Sequence, residues 1–147
     1  MDLLFNFSFC YSLFYFENII KTTVKTAKKP KIKTLIKELD RVFSLFIRKR
    51  DHNICITCGK KMTLNQSQCG HYVSRKWLSL RWDEKNCNCQ CVSCNVFKHG
   101  NMDEYALALK KKYGSRILEE LNKKKNEIVK FTADKLTELI KHYSKFI

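Results

Sequence analysis

Two cysteine pairs, Cys55-x-x-Cys58 and Cys91-x-x-Cys94, carry the strongest chemical signal in the chain. A CxxC pair on a tight knuckle lets both thiolates reach one ion at about 2.3 Å, and two such pairs close a tetrahedral zinc site. Gly59, directly after the first pair, suits the sharp turn of the knuckle. A shell of four cysteines leaves no open position for water or substrate, so this zinc is expected to hold the fold and do no chemistry. Thirty-two residues separate the pairs. That excursion and its exit hold the other candidates: His71 behind Gly70, then Arg75, Lys76, Arg81 and Asn86, then Asn95 directly after Cys94, and His99 one helical turn on. An imidazole can exchange a proton near neutral pH, basic side chains can grip phosphates, and a carboxamide oxygen can ligate a hard cation.

Each of these also has a structural reading. A histidine after a glycine is more often a hydrogen-bonded structural residue than a base, and Asn86 could simply make a turn. Cys69, Cys87 and Cys89 read as small buried apolar residues, with Cys69 or Cys89 as a substitute zinc ligand. Trp77 and Trp82, interleaved with the basic side chains, fit either a small core or stacking on unpaired bases. His52 and His142 read as surface residues, and Cys10 has no assigned role.

Order and spacing narrow the choice. The runs C-x-x-C-G-K, C-G-H-Y-V-S-R, L-R-W-D-E-K-N, Q-C-x-x-C-N and H-G-N-x3-Y follow an F-x-x-x-I-R-x-R-D entry. Together, over about residues 33–121, they resemble the phage NinG/Rap recombination-protein family and, more broadly, the HNH (His-Me finger) nucleases. The resemblance implies an α+β fold: a small ββα-metal core with the four-cysteine zinc site, flanked by N- and C-terminal helices. It implies His71, at the end of the first strand, as the base for an attacking water. Asn86 matches the residue that holds the strand-to-strand loop and aims the imidazole. Asn95, at the start of the helix, matches a ligand of one catalytic Mg2+ or Mn2+, ions suited to oxygen ligands and phosphates. One position departs from the pattern: many such sites place Asp or His before the base, where this chain has Gly70. His99, on the same helix face as Asn95, is the best candidate to complete the shell, with Asp83 a distant second. Arg75, Lys76 and Arg81 would contact phosphates beside the scissile bond.

The elements that must position these residues are partly visible. KIKTLIKELDRVFSLFIRKR places Leu35, Leu39, Val42, Phe43, Phe46 and Ile47 at three- and four-residue spacing, which predicts an amphipathic helix running into Cys55. From Asp51 to Gly100 helical periodicity disappears, and NICIT, GHYVS and LSLRW read as short strands. A helix is expected to start near Val92 to Asn95. MDEYALALKKKY reads as another, stopped by Gly114, and Ser115 is expected to cap a last one that the KKKNE run breaks in two. The domain reading is an apolar leader at 1–20, a Lys/Thr-rich linker at 21–31, a zinc-stabilised HNH-like domain at 32–121 and a C-terminal helical extension at 122–147.

The 147 residues carry a formal charge of +15. Residues 31–100 hold fourteen basic against five acidic side chains, so the excess peaks around the cysteine-rich segment and points to a polyanion, most simply nucleic acid. CxxC pairs without a convincing secretory signal favour zinc over disulfides. The leader, opening MDLLFNFSFCYSLFYF, falls short of the roughly 18–20 apolar residues of a spanning helix, so no stable membrane association is expected. The leading hypothesis, implied by the resemblance, is a structure-selective DNA endonuclease of phage-type recombination. Its substrate would be branched or partly single-stranded DNA, cut in the host cytoplasm, with room for a homodimer. The alternative is a non-catalytic zinc-containing DNA-binding accessory protein.

Overall fold

A computed structural model describes residues 30–147; the apolar leader, Cys10 and nearly all of the linker lie outside the described residues. Helix α1 spans Ile32–Arg50 and buries Leu35, Leu39, Val42, Phe43 and Ile47, the stripe its spacing predicts. Strands β1 (Ser67–His71) and β2 (Cys87–Cys91) pair antiparallel, with Ser67 opposite Cys91, Cys69 opposite Cys89 and His71 opposite Cys87. A π-helical turn, Ser93–Phe97, follows β2 directly. Helices α2 (Met102–Tyr113), α3 (Ile117–Lys125) and α4 (Ala133–Ser144) complete a mixed α+β fold around the hairpin.

Three apolar clusters hold these elements together. The largest joins α1 to α4 through Leu39, Val42, Phe43, Leu136 and Tyr143, and reaches the hairpin through Trp82 and Cys87. Phe43 and Tyr143 meet edge to face at 4.9 Å, a favourable aromatic geometry. A second cluster unites Leu80 with Tyr105, Leu109, Ile117 and Leu121 of α2 and α3. The third is the cysteine knot itself, Cys55, Cys89, Cys91 and Cys94 with Met62.

Several local expectations change. NICIT contributes only an isolated bridge, Ile54 to Lys61. GHYVS is a strand only as far as His71, and the pairing begins earlier, at Ser67. LSLRW is not a strand: Leu78–Leu80 forms a 3-10 turn in which Leu80 alone is buried. The strand that pairs with β1 is CNCQC, whose five positions are all buried, so no polar–apolar alternation marks it. Ser115 does not cap α3, which starts at Ile117 behind Arg116 without a side-chain cap. Gly114 does end α2, at φ +98°, a conformation that glycine adopts without strain. The break beyond KKK is present, and α4 restarts with Thr132 accepting a hydrogen bond from the Lys135 N–H at 3.2 Å. Among the described residues no helix is long and apolar enough to cross a membrane.

Candidate functional site

The two cysteine knuckles close on each other. The sulfurs of Cys55, Cys58, Cys91 and Cys94 all lie within 4.8 Å of one another. Cys58 and Cys91 stand 3.8 Å apart, the separation expected for two sulfurs about 2.3 Å from a shared tetrahedral ion. Burial raises the Cys55 thiol, but hydrogen bonds from the Thr57 hydroxyl and the surrounding backbone outweigh it and bring the thiol down to about 6. Cys58 moves the other way, pushed up to about 12 chiefly by burial and then by the Cys55 and Cys94 thiols beside it. Four thiolates at one point need a cation, and the donor set fits a structural zinc ion. Cys89 packs against this cluster, but its sulfur is not within the group of four.

The hairpin is docked onto α1 by a charged latch. Arg50 Nη2 reaches the Cys87 carbonyl at 2.9 Å, and the Asp51 carboxylate accepts the Cys89 N–H at 2.8 Å. Arg50 and Asp51 pair at 2.9 Å, with Lys112 of α2 on the other carboxylate oxygen at 3.0 Å. Burial works against the Asp51 charge, but Arg50, the Cys89 N–H and Lys112 together hold its carboxyl below the usual range.

His71 ends β1, half-buried, with Nε2 3.0 Å from the Arg81 carbonyl. Burial first, then the charges of Arg75 and Arg81, lower its pKa against the opposing pull of the Arg81 carbonyl and Asp40. Asn86 is fully buried and stitches the loop beyond His71: its Nδ2 donates to Val73 O at 2.9 Å and Leu80 O at 3.0 Å, and its Oδ1 accepts the Val73 N–H at 2.7 Å. Asn95, in the turn after Cys94, donates Nδ2 to Gln68 Oε1 at 2.7 Å, which leaves its own Oδ1 to another partner.

An open cavity of about 480 Å³ brings His71, Asn95 and His99 onto one wall system with Ser74 and Arg75. Its lining contains no Asp or Glu. His99 and Arg75 are exposed, as are Lys76, His52 and His142. Two sequence candidates lie elsewhere. Arg81 is not a free phosphate-facing cation: both arms of its guanidinium bind Asp40 of α1, at 2.9 and 2.6 Å. Asp83 caps the turn before Asn86 and pairs with Lys124, facing a separate 580 Å³ cavity between the Leu78–Leu80 turn, α3 and α4. Trp82 is core, its Nε1–H also on Asp40 at 3.0 Å, and Trp77 is half-buried between the ammonium groups of Lys76 and Lys125.

Three supporting residues were not singled out from the sequence. Gln68 orients Asn95. Gln90, fully buried, lies across Gly70, where a Cβ would fall 2.0 Å from its Oε1. Tyr105 of α2 donates to the Gly70 carbonyl at 3.0 Å and accepts from Asn88 Nδ2 at 3.3 Å, tying the helix to both strands. Gln90 and Tyr105 had left a trace, as the glutamine of Q-C-x-x-C-N and the tyrosine of H-G-N-x3-Y.

The family described as "Bacteriophage Lambda NinG protein" matches residues 17–147. Protein ninG of Escherichia phage lambda is 36% identical over 104 residues, covering 69% of this chain and 50% of that protein. Protein ninG of Salmonella phage P22 is 37% identical over 99 residues, covering 66% and 48% respectively. Protein ninG of Escherichia phage 933W is 36% identical over 104 residues, covering 69% and 51%. The chain therefore spans about half the length of these relatives. No solved structure gives a significant match. On a family match that covers most of its length, the chain belongs to the NinG family.

Proposed function

We propose that the protein is a metal-dependent endonuclease that hydrolyses phosphodiester bonds in branched or partly single-stranded DNA, with His71 as general base. The observation that carries this reading is the convergence of His71, Asn95, His99 and Arg75 on one open cavity. A carbonyl only accepts, so the Arg81 oxygen keeps the proton on Nε2 of His71 and leaves a lone pair on Nδ1. Water then gives its proton to Nδ1 while its oxygen bonds to phosphorus, and the bond from phosphorus to the 3′ oxygen breaks. The lowered pKa of His71 keeps the imidazole neutral for this step. Asn86 fixes the loop that carries the Arg81 carbonyl, and so the ring it orients. Exposed Arg75 and Lys76 would grip the flanking phosphates.

A divalent cation held by Asn95, His99 and the substrate phosphate would stabilise the charge on the departing oxygen. The donor set fits such an ion with substrate help, and an imidazole beside a carboxamide suits Mn2+ better than Mg2+. A strand hairpin running directly into a helical turn supports a ββα-metal core. The test is a panel of fork, four-way junction and linear duplex DNA with Mn2+, Mg2+ or chelator. Cutting of the branched substrates, faster in Mn2+ and with Asn95→Ala needing more metal, is the expected result. The cavity's lack of carboxylates favours a second reading, a zinc-containing DNA-binding accessory protein. It expects salt-sensitive binding and no cutting in any divalent cation.

A further inference from the structure

On the face of the hairpin packed toward α1, two further cysteines meet the imidazole. One ligand atom each from Cys69, His71 and Cys87 lies within 4.8 Å of the other two. The strand register produces this: Cys87 is directly opposite His71, and Cys69, two residues back along β1, projects from the same face. Both thiols are free, Cys87 fully buried and Cys69 half-buried, and neither belongs to the four-cysteine clamp. The Arg81 carbonyl lies beside them, 3.0 Å from His71 Nε2 and 3.7 Å from the Cys87 sulfur. A small cavity bordered by Cys69, His71, Arg81 and Asp40 opens onto the group.

Two features argue for a metal ion over the other uses of a cysteine pair. Cys69 and Cys87 occupy diagonal positions of the antiparallel ladder, whose Cα atoms stand about 7–8 Å apart. A disulfide wants a Cα separation of about 5.5–6 Å, whereas an ion about 2.3 Å from each sulfur spans the wider gap. Two soft sulfurs and one imidazole are also a donor set that selects zinc over magnesium or manganese. We propose that Cys69, His71 and Cys87 form a second zinc site, distinct from the structural clamp, whose loading withdraws His71 from the water it would activate. The withdrawal rests on the general-base reading above; the site itself does not. Zinc bound here is inhibitory, because its ligand is the side chain that has to accept the proton.

The experiment counts zinc per chain by native mass spectrometry on full-length protein at rising zinc, for wild type, Cys69→Ser and Cys87→Val. Wild type is expected to take a second equivalent that both variants lose while keeping the first. Cobalt substitution gives an independent readout, since part of the thiolate-to-metal absorption should vanish in Cys69→Ser alone, even if Cys87→Val misfolds. In the activity arm, zinc added to Mn2+-supported cleavage should lower the rate of wild type and leave the rate ratio of Cys69→Ser near one. A single equivalent in wild type, a second equivalent that survives Cys69→Ser, or a Cys69–Cys87 disulfide in the purified protein would overturn the site. A second equivalent that leaves wild-type cutting untouched would overturn the withdrawal. If wild type cuts no DNA, the nuclease reading fails, and the metal count still decides the site.

Discussion

Gly70 stands directly before His71, and its backbone position has room for no side chain. A Cβ there would come within 2.0 Å of Gln90 Oε1 and 2.7 Å of its Cδ, and Gln90 is fully buried with its Nε2 on the Gly100 carbonyl at 2.8 Å. The departure from the nuclease pattern is thus tied to what lies on β2. Gly70→Ala should cost about 1–3 kcal/mol by overpacking, read as a lower melting temperature, and Gln90→Ala in the same chain should recover part of it. Additive losses in the double variant would show that Gln90 is not the obstacle. For His71 the shift has a definite sign. Burial lowers its pKa, so the imidazole stays neutral to more acidic pH than an ordinary histidine, and the acid limb of cleavage should lie below about pH 6.5. A limb above that value would contradict the buried, neutral ring. At this scale spacing carried the signal for the four zinc-fitting cysteines, and it singled out His71 and Asn95, which line one cavity, and Asn86, which is buried beneath the loop. The sequence was silent on Gln68 and Asp40 and on what Gln90 does, because nothing in their spacing reports which side chain they touch across the fold.

The elements show why some strands were missed. A strand is read from alternation, and CNCQC is buried on both faces, between α1 and α2, so it has none. LSLRW alternates without pairing, and its Leu80 and Trp82 enter two different clusters, Leu80 that of α2 and α3 and Trp82 that of α1 and α4. α1, by contrast, was legible from end to end because it presents a single apolar stripe to the rest of the chain. Its last turn then does something periodicity cannot report: Arg50 and Asp51 latch it to β2. Asp51 is only 10% exposed, so Asp51→Ala takes the close carboxylate from Arg50 and the acceptor from the Cys89 N–H and should destabilise the fold by about 3 kcal/mol, measured by urea titration. Its lowered carboxyl pKa means this stabilisation is present above the unfolded value and lost as pH falls through the folded one. A variant as stable as wild type at neutral pH would remove the latch from the account of how the hairpin is held.

Across the described residues, the four-cysteine cluster and the helical seam are separate packing units. The cysteine cluster shares no residue with the α1–α4 seam built on Leu39, Val42, Phe43, Leu136 and Tyr143. Chelating the clamp's zinc should therefore abolish tertiary order around the hairpin while most far-ultraviolet helical signal persists. Loss of all helix in one step would show that they are one unit. The pairing of α4 with α1 could not be read beforehand, since the stripe Leu136, Leu139, Ile140 and Tyr143 announces a buried face without naming its partner. The measurement that bears most directly on function is single-turnover cleavage of a DNA junction in Mn2+ by His71→Ala beside wild type, each holding one zinc per chain. Zinc content, melting temperature and junction affinity are taken from the same samples. The expected result is a rate lower by about 10²–10⁴-fold, with the zinc of the four cysteines, the fold and the affinity retained. Cutting at the wild-type rate by the variant, or no cutting by either protein, would contradict His71 as the base.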